Sequence, residues 1–259
     1  MFKKLIFSIA CATALLTTPL TTIAAEKPTY TVGSGATYRP FEFENSKKEL
    51  QGFDIDLIKA IAVAEDFNIK LINTPWEGIF ATLGSGDRDI IISGITITEN
   101  RQKVVDFSSP YFPAQQAIVV PEGSNVKTIE DLKPLRVGVV SASTADIVVS
   151  RILGKNSTAI KRFDNTPLML QELFEGGVDA SVGDVGVAMF YIKNNPQKKF
   201  SLVFDDNFEQ QFFGIAVAKG NTELLNKINS GLQKIVANGT YAKIYTTWFE
   251  GEVPTLPAQ

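Results

Sequence analysis

Residues 89–101 read DIIISGITITENR, and the change of residue type along them sets the architecture. The apolar run at residues 89–93 has the composition of a buried strand. It ends in a corner of small residues, Gly94 with Thr96 close behind, and then offers a single guanidinium at Arg101. Gly94 removes a side chain where a ligand would approach the backbone. Thr96 supplies a hydroxyl and an N–H, and Arg101 supplies a planar fork that donates two parallel hydrogen bonds to a carboxylate. The corner suits a small anion, the α-carboxylate of an amino acid first among them. Taken alone, the same order of residues also describes a turn with a surface charge.

Working outward, strand-like and helix-like segments alternate. Residues 30–33 (YTVG) read as a strand, and residues 54–66 (DIDLIKAIAVAED) put Ile55, Ile58, Ile61 and Ala62 on one helical face, with Asp54 placed to cap the first turn. A helix over 77–83, a helical turn at 99–104 and the aromatic segment DFSSPYFPAQQ at 106–116 follow. A second series has strands at 136–140 and 180–182 and helices at 167–175 and 186–194, with Thr144 opening another helix through Leu153. The last third gives a strand at 214–218 and helices at 222–237 and 241–248. Strands alternating with helices imply an α/β fold. No loose Gly/Ser tether is present, so two lobes would be joined by ordered strands.

Two further clusters bear on function. ATYRPFEF, residues 36–43, gathers Tyr38, Phe41 and Phe43 around Pro40 just after the first strand, where open α/β sheets place binding loops; a loop whose aromatics pack in the core is the other reading. Trp76 is open to the same two readings. In GVDASVGDVG, residues 177–186, an apolar strand delivers Asp184 between small residues, either as a helix N-cap or as a ligand group.

Lys3 and Lys4 precede an apolar run at 5–16 and a small-residue end at Ile23-Ala24-Ala25. This is the pattern of a secretory signal peptide over residues 1–25, too short in its apolar core for the roughly 20 residues of a spanning helix. Cys11, the sole cysteine, lies inside it and is a poor match to a lipid-attachment site, so the exported chain would have no disulfide or thiolate site. Without Lys3 and Lys4 there are 23 basic against 28 acidic residues, with no basic cluster to follow a phosphate backbone, which argues against nucleic acid. Histidine is absent, which excludes imidazole-based catalysis and imidazole metal sites.

At this point the chain resembles the periplasmic polar amino acid-binding proteins of ABC importers, bacterial extracellular solute-binding protein family 3. The resemblance is carried, in order, by ATYRPFEF, LQGFDIDL (50–57), PWEGIFATLGSGDRDIIISGITITENRQKVVDFSSPY (75–111), VGVVSAST (137–144), VDASVGD (178–184), FFGIAVAKG (212–220) and NGTYAKIYTTWF (238–249). It implies a type II periplasmic binding protein fold, two α/β lobes joined by two hinge strands with the ligand cleft between them. Lobe 1 would span 26–111 and 214–259, lobe 2 115–209, and the hinges 111–115 and 209–213. It also implies a ligand-binding set of Tyr38, Asp54, Trp76, Ser93, Gly94, Thr96, Arg101, Ser143, Thr144 and Asp184. Arg101 would grip the α-carboxylate with the N–H groups of Thr96 and Thr144. Asp184 would neutralise the α-ammonium with Thr96 and the Gly94 carbonyl, and Tyr38 and Trp76 would sandwich the side chain. No catalytic residue, cofactor or metal is implied; the partners are a free L-amino acid and an ABC permease of the inner membrane, and the protein would be a periplasmic monomer.

Two departures bear on the ligand. Many relatives carry an acidic residue where this chain has Gly35, and Val140 stands where a polar contact is common. Asp54 and Glu42 remain as carboxylates to meet a guanidinium or ammonium, unless Asp54 is only a helix cap and Glu42 a solvated loop charge. The expected ligand is therefore a basic amino acid, arginine, lysine or histidine, with glutamine next. Two other classes share the architecture. A secreted cyclohexadienyl dehydratase-like enzyme would need a general acid or base, and Val185, Gly186 and Val187 after Asp184 cannot transfer a proton. An amino-acid sensor domain would need a membrane span, and none is seen before Gln259.

Overall fold

The computed structural model describes residues 26–257; the predicted signal peptide, with Cys11, lies outside the described residues. The chain opens with β1 (Thr29–Ser34), the short strands β2 (Thr37–Tyr38), β3 (Glu42–Glu44) and β4 (Leu50–Gln51), then α1 (Phe53–Ala64) and β5 (Asn68–Asn73). After α2 (Ala81–Gly84) come β6 (Ile90–Ile91), α3 (Glu99–Gln102) and β7 (Val105–Phe107). Next are β8 (Phe112–Ala114), β9 (Gln116–Pro121), β10 (Val137–Val140), α4 (Thr144–Leu153), β11 (Ile160–Phe163), α5 (Thr166–Phe174), β12 (Ala180–Asp184), α6 (Val185–Asn194) and β13 (Phe200–Val203). The chain closes with β14 (Gln211–Phe213), β15 (Ala216–Ala218), α7 (Thr222–Ala237) and α8 (Thr240–Trp248).

These strands form two five-stranded sheets, ordered β5-β1-β6-β15-β7 and β11-β10-β12-β9-β13. In each, four strands share one direction, as β1 does with β5 and β6 and β10 with β11 and β12, and one strand runs against them, β15 in the first sheet and β9 in the second. Both faces of such sheets are covered by helices, which is why β6 and β10 read as unbroken apolar runs. Between them β8 and β14 pair antiparallel, Phe112 opposite Phe213 and Ala114 opposite Gln211. The chain therefore passes to the second sheet through β8 and comes back through β14 to complete the first with β15. This is the α/β fold expected, with two layered sheets joined by two crossing strands.

The local chemistry accounts for the helices. Ile55, Ile58, Ile61 and Ala62 are all buried. On α7, Leu224, Ile228, Leu232 and Ile235 form an apolar stripe facing the same core. Three expectations change. The N-cap of α1 is Gly52, and Asp54, two residues inside, makes no capping bond. Ser143 rather than Thr144 caps α4, its hydroxyl accepting from the Asp146 N–H at 3.1 Å. The helix expected over 77–83 shrinks to α2, because Gly78 takes φ +76° and breaks the helical run.

An aromatic cluster sits where the sheets meet. Phe41 lies 4.8 Å from Phe112 and 5.2 Å from both Phe213 and Phe249, ring centre to ring centre. It also reaches the second unit, since a Cβ at Gly186 of α6 would stand 3.3 Å from its ring. Phe41 and Phe43 thus follow the core-packing reading of the ATYRPFEF loop. Phe41→Ala should cost about 3–5 kcal/mol, measured by denaturant unfolding; a loss below about 1 kcal/mol would show that the cluster relaxes around the gap.

Candidate ligand-binding site

A cavity of about 380 Å³ opens between the two sheets. Tyr38, Trp76, Ser93, Gly94, Thr96 and Arg101 line it from the side of the first sheet, and Val140, Ser143, Thr144 and Asp184 from the side of the second. Of the predicted site residues, Asp54 alone does not reach the wall.

The corner after β6 is built tightly. Gly94 has φ +51°, and a Cβ there would stand 2.6 Å from the Tyr38 ring, so both backbone conformation and contact require glycine. Arg101 sits on α3, which Thr98 caps through the Arg101 N–H at 3.2 Å. Its Nη1 donates to the Thr96 carbonyl at 2.9 Å, and its guanidinium lies 5.2 Å from the Trp76 ring and 5.5 Å from Phe80. Burial pushes the guanidinium down to about 10, partly offset by Asp184 and Tyr38, so it stays charged near neutrality.

Asp184 faces it from the other sheet. The residue holds the N-cap position of α6, yet its side chain makes no capping bond; the Val185 N–H instead donates to the Gln115 carbonyl at 2.8 Å. The Tyr38 hydroxyl donates to Asp184 Oδ2, while Oδ1 is buried without a partner. Burial pushes this carboxyl up to about 6, opposed by the Tyr38 hydroxyl and the Arg101 charge. A second contact spans the cleft: Trp76 Nε1 donates to the Ser141 carbonyl at 3.0 Å. The first turn of α4, with Ser143 and Thr144, forms part of the wall and brings helix N-terminal amides and their positive dipole end to it. Thr144 itself is buried and held by Gln116, whose Nε2 donates to Oγ1 at 2.6 Å.

The floor holds what the sequence reading left unresolved. Glu42 is no solvated charge: it is buried, lines the cavity, and accepts from Ser93 Oγ at 2.7 Å, while Ser93 Oγ accepts from the Gly35 N–H at 3.0 Å. A Cβ at Gly35 would stand 3.1 Å from Ser93 Oγ and 3.6 Å from Glu42 Oε1. An acidic side chain there would crowd and repel Glu42, which already places a carboxyl at this part of the wall. Asp54 lies behind this floor, its Oδ2 accepting from the Gly94 N–H at 2.8 Å and the Tyr111 hydroxyl at 2.9 Å. Burial and the neighbouring Asp54 carboxyl hold Glu42 well above the usual carboxylate range. Burial raises Asp54 to about 7, against the pull of Gly94, Tyr111 and Glu42. A signal for the burial of Asp54 was present: residues 54, 58 and 61 share one helical face, and the latter two are isoleucines. The partnership of Glu42 with Ser93 crosses 51 residues and has no local pattern.

Known proteins share this fold. The profile of bacterial extracellular solute-binding proteins, family 3, matches residues 30–251. A probable histidine-binding protein of Neisseria gonorrhoeae is 42% identical over 224 residues, 86% of this chain and 84% of that protein. The arginine-, lysine-, histidine-binding protein ArtJ of Geobacillus stearothermophilus superposes with a TM-score of 0.83 at 39% identity, covering 88% of this chain and 97% of that one. An ancestral arginine-binding protein bound to arginine gives a TM-score of 0.82 at 45% identity, over 86% of this chain and 99% of that one. The chain belongs to the bacterial extracellular solute-binding proteins of family 3.

Proposed function

We propose that this protein captures a free basic L-amino acid, arginine, lysine or histidine, in the periplasm and delivers it to an ABC permease. The charge inventory of the cavity carries the reading. Arg101 and Asp184 face each other across it and match the two charges of an amino-acid backbone, and Glu42 remains as a buried carboxyl with an unpartnered oxygen. Glu77 and Asp164 add further negative charge to the lining. A zwitterion leaves water only if each charge is met, and the surplus carboxylate asks for a cationic side chain. Tyr38 and Trp76 flank the space where that side chain would lie. The names of the relatives above point the same way, and none of them is named for an enzyme.

In this reading residues 26–111 and 214–259 form one lobe and 115–209 the other, with hinges at 111–115 and 209–213. The pairing of β8 with β14 at that crossing supports the division. Arg101 and Asp184 would then pair with one ligand only when the lobes are closed, which couples capture to closure and gives the permease a distinct form to read. The signal peptide read in residues 1–25 supports export.

Three outcomes test the proposal. Arg101→Ala should lower affinity by about 2–5 kcal/mol, roughly thirtyfold to several thousandfold, in calorimetric titration of ligand-stripped protein; near-unchanged affinity in a folded variant would place the carboxylate anchor elsewhere. Glu42→Gln keeps the shape and removes the charge, so arginine should weaken about tenfold or more while its neutral isostere citrulline changes far less; equal losses would deny Glu42 a part in selecting charge. Small-angle scattering should show a smaller radius of gyration on saturation with arginine, and no change would rule out clamp closure.

A further inference from the structure

Two buried carboxyls, Glu42 at the cavity floor and Asp54 behind it, make no ion pair with a cation among the described residues. Glu42 commits Oε1 to Ser93 and Asp54 commits Oδ2 to Gly94 and Tyr111, and the oxygens left without a donor are Glu42 Oε2 and Asp54 Oδ1. Their partners Ser93 and Gly94 are consecutive residues, so the two buried carboxyls meet in one corner, and the Asp54 charge acts on Glu42. The groups acting on them from neighbouring elements are Tyr38 on β2, Ser93 after β6, Tyr111 before β8, Asp184 at the end of β12 and Tyr241 on α8. None of these is a cation. Arg39, next to the loop proline, is turned to the Phe43 ring, 3.7 Å from its centre, and Arg101 serves Asp184.

We propose that Glu42 and Asp54 titrate as one acid whose singly protonated, singly negative form is selected by a cationic side chain, so that capture of a basic amino acid expels a proton from the cavity floor into the solvent. Asp54 is then a positioning residue: it touches no ligand, and it sets the charge that Glu42 presents. This rests on the reading of the site as one for basic amino acids. Like carboxyls this close cannot both ionise in a buried site, so the pair exchanges between two protons and one, and its titration belongs to both residues together. A cation favours the form with one. Because the bound state holds fewer protons, linkage makes affinity for the cation rise with pH through the range where the pair titrates, by up to about tenfold per pH unit, and level off above it. Burial has raised Asp54 to about 7, which puts that range near neutrality. A neutral side chain has no preference between the two forms.

The test is calorimetric titration of the wild-type protein with L-arginine and with L-citrulline, each in two buffers of different ionisation enthalpy. The pH is set between the titration of Asp184 at about 6 and that of Asp54 at about 7. Protons exchanged at Asp184 and at the α-ammonium are common to both ligands, so the difference between them isolates the floor pair. Arginine should release a substantial fraction of a proton more than citrulline, and its affinity should rise more steeply toward alkaline pH than that of citrulline. Asp54→Asn retains an oxygen for Gly94 and Tyr111, and it should displace the arginine pH profile while leaving the citrulline profile in place. A purely structural Asp54 would weaken both ligands alike and move neither profile. Release of no more protons by arginine than by citrulline overturns the proposal alone; absence of arginine binding overturns the basic-ligand reading and the proposal with it.

Discussion

A zwitterion cannot be taken out of water one charge at a time, and in the proposed reading Arg101 and Asp184 answer that constraint from opposite walls of the cavity. The guanidinium of Arg101 and the carboxyl of Asp184 belong to different sheets, one on α3 after β6 and the other at the end of β12. Each feels the other's charge, yet among the described residues neither makes a salt bridge: Arg101 spends one N–H on the Thr96 carbonyl, and Asp184 Oδ1 is buried without a partner. An isolated buried charge is costly. Each is therefore displaced from its ordinary titration in the direction that burial dictates, Arg101 downward and Asp184 upward. A ligand that brings both opposite charges relieves both penalties together.

The scaffold holds these charges by removing side chains around them. Gly94 lets the Tyr38 ring lie on the backbone, which aims the tyrosine hydroxyl at Asp184. Gly35 leaves room for Ser93 and Glu42 to bond. Gly186 leaves room for Phe41, so the aromatic cluster of the first unit packs against the helix that follows Asp184. Three glycines without shared motif thus fix three contacts between cavity and core.

How much of this was legible in the sequence depended on whether the signal was local. Helical periodicity placed α1 and α7 within a residue or two, because their apolar faces repeat at a spacing that no strand can satisfy. The corner at residues 93–101 was legible for a similar reason, since strand, glycine, hydroxyl and guanidinium follow one another directly. Asp54 stood between a helix cap and a ligand contact because a carboxyl near the start of a helix has a familiar local use, whereas its partners, Gly94 and Tyr111, are 40 and 57 residues away. Glu42 was left between two readings for the same cause: its Ser93 and Asp54 neighbours come from other elements. Short strands such as β2, β4, β8 and β14 carry two or three residues each, too few to display a period, and they exist through pairing alone.

The bond between Tyr38 and Asp184 adds a physical consequence of its own. Tyr38 stands on the first sheet's side and Asp184 on the second, so the hydroxyl joins the two walls directly. It satisfies one carboxylate oxygen and leaves the other, which lowers the cost of burying Asp184 but does not cancel it. A site with both oxygens satisfied would close on itself and gain nothing from an ammonium; one with neither would resist closing at all. In the proposed reading, half-satisfaction keeps the walls near each other and reserves the remaining oxygen for a cation. In the proposed cycle that balance is what lets a small ligand, with few contacts to offer, decide between the open and closed forms: a ligand shifts such an equilibrium only by its differential affinity, and here the differential contact is one oxygen already in place.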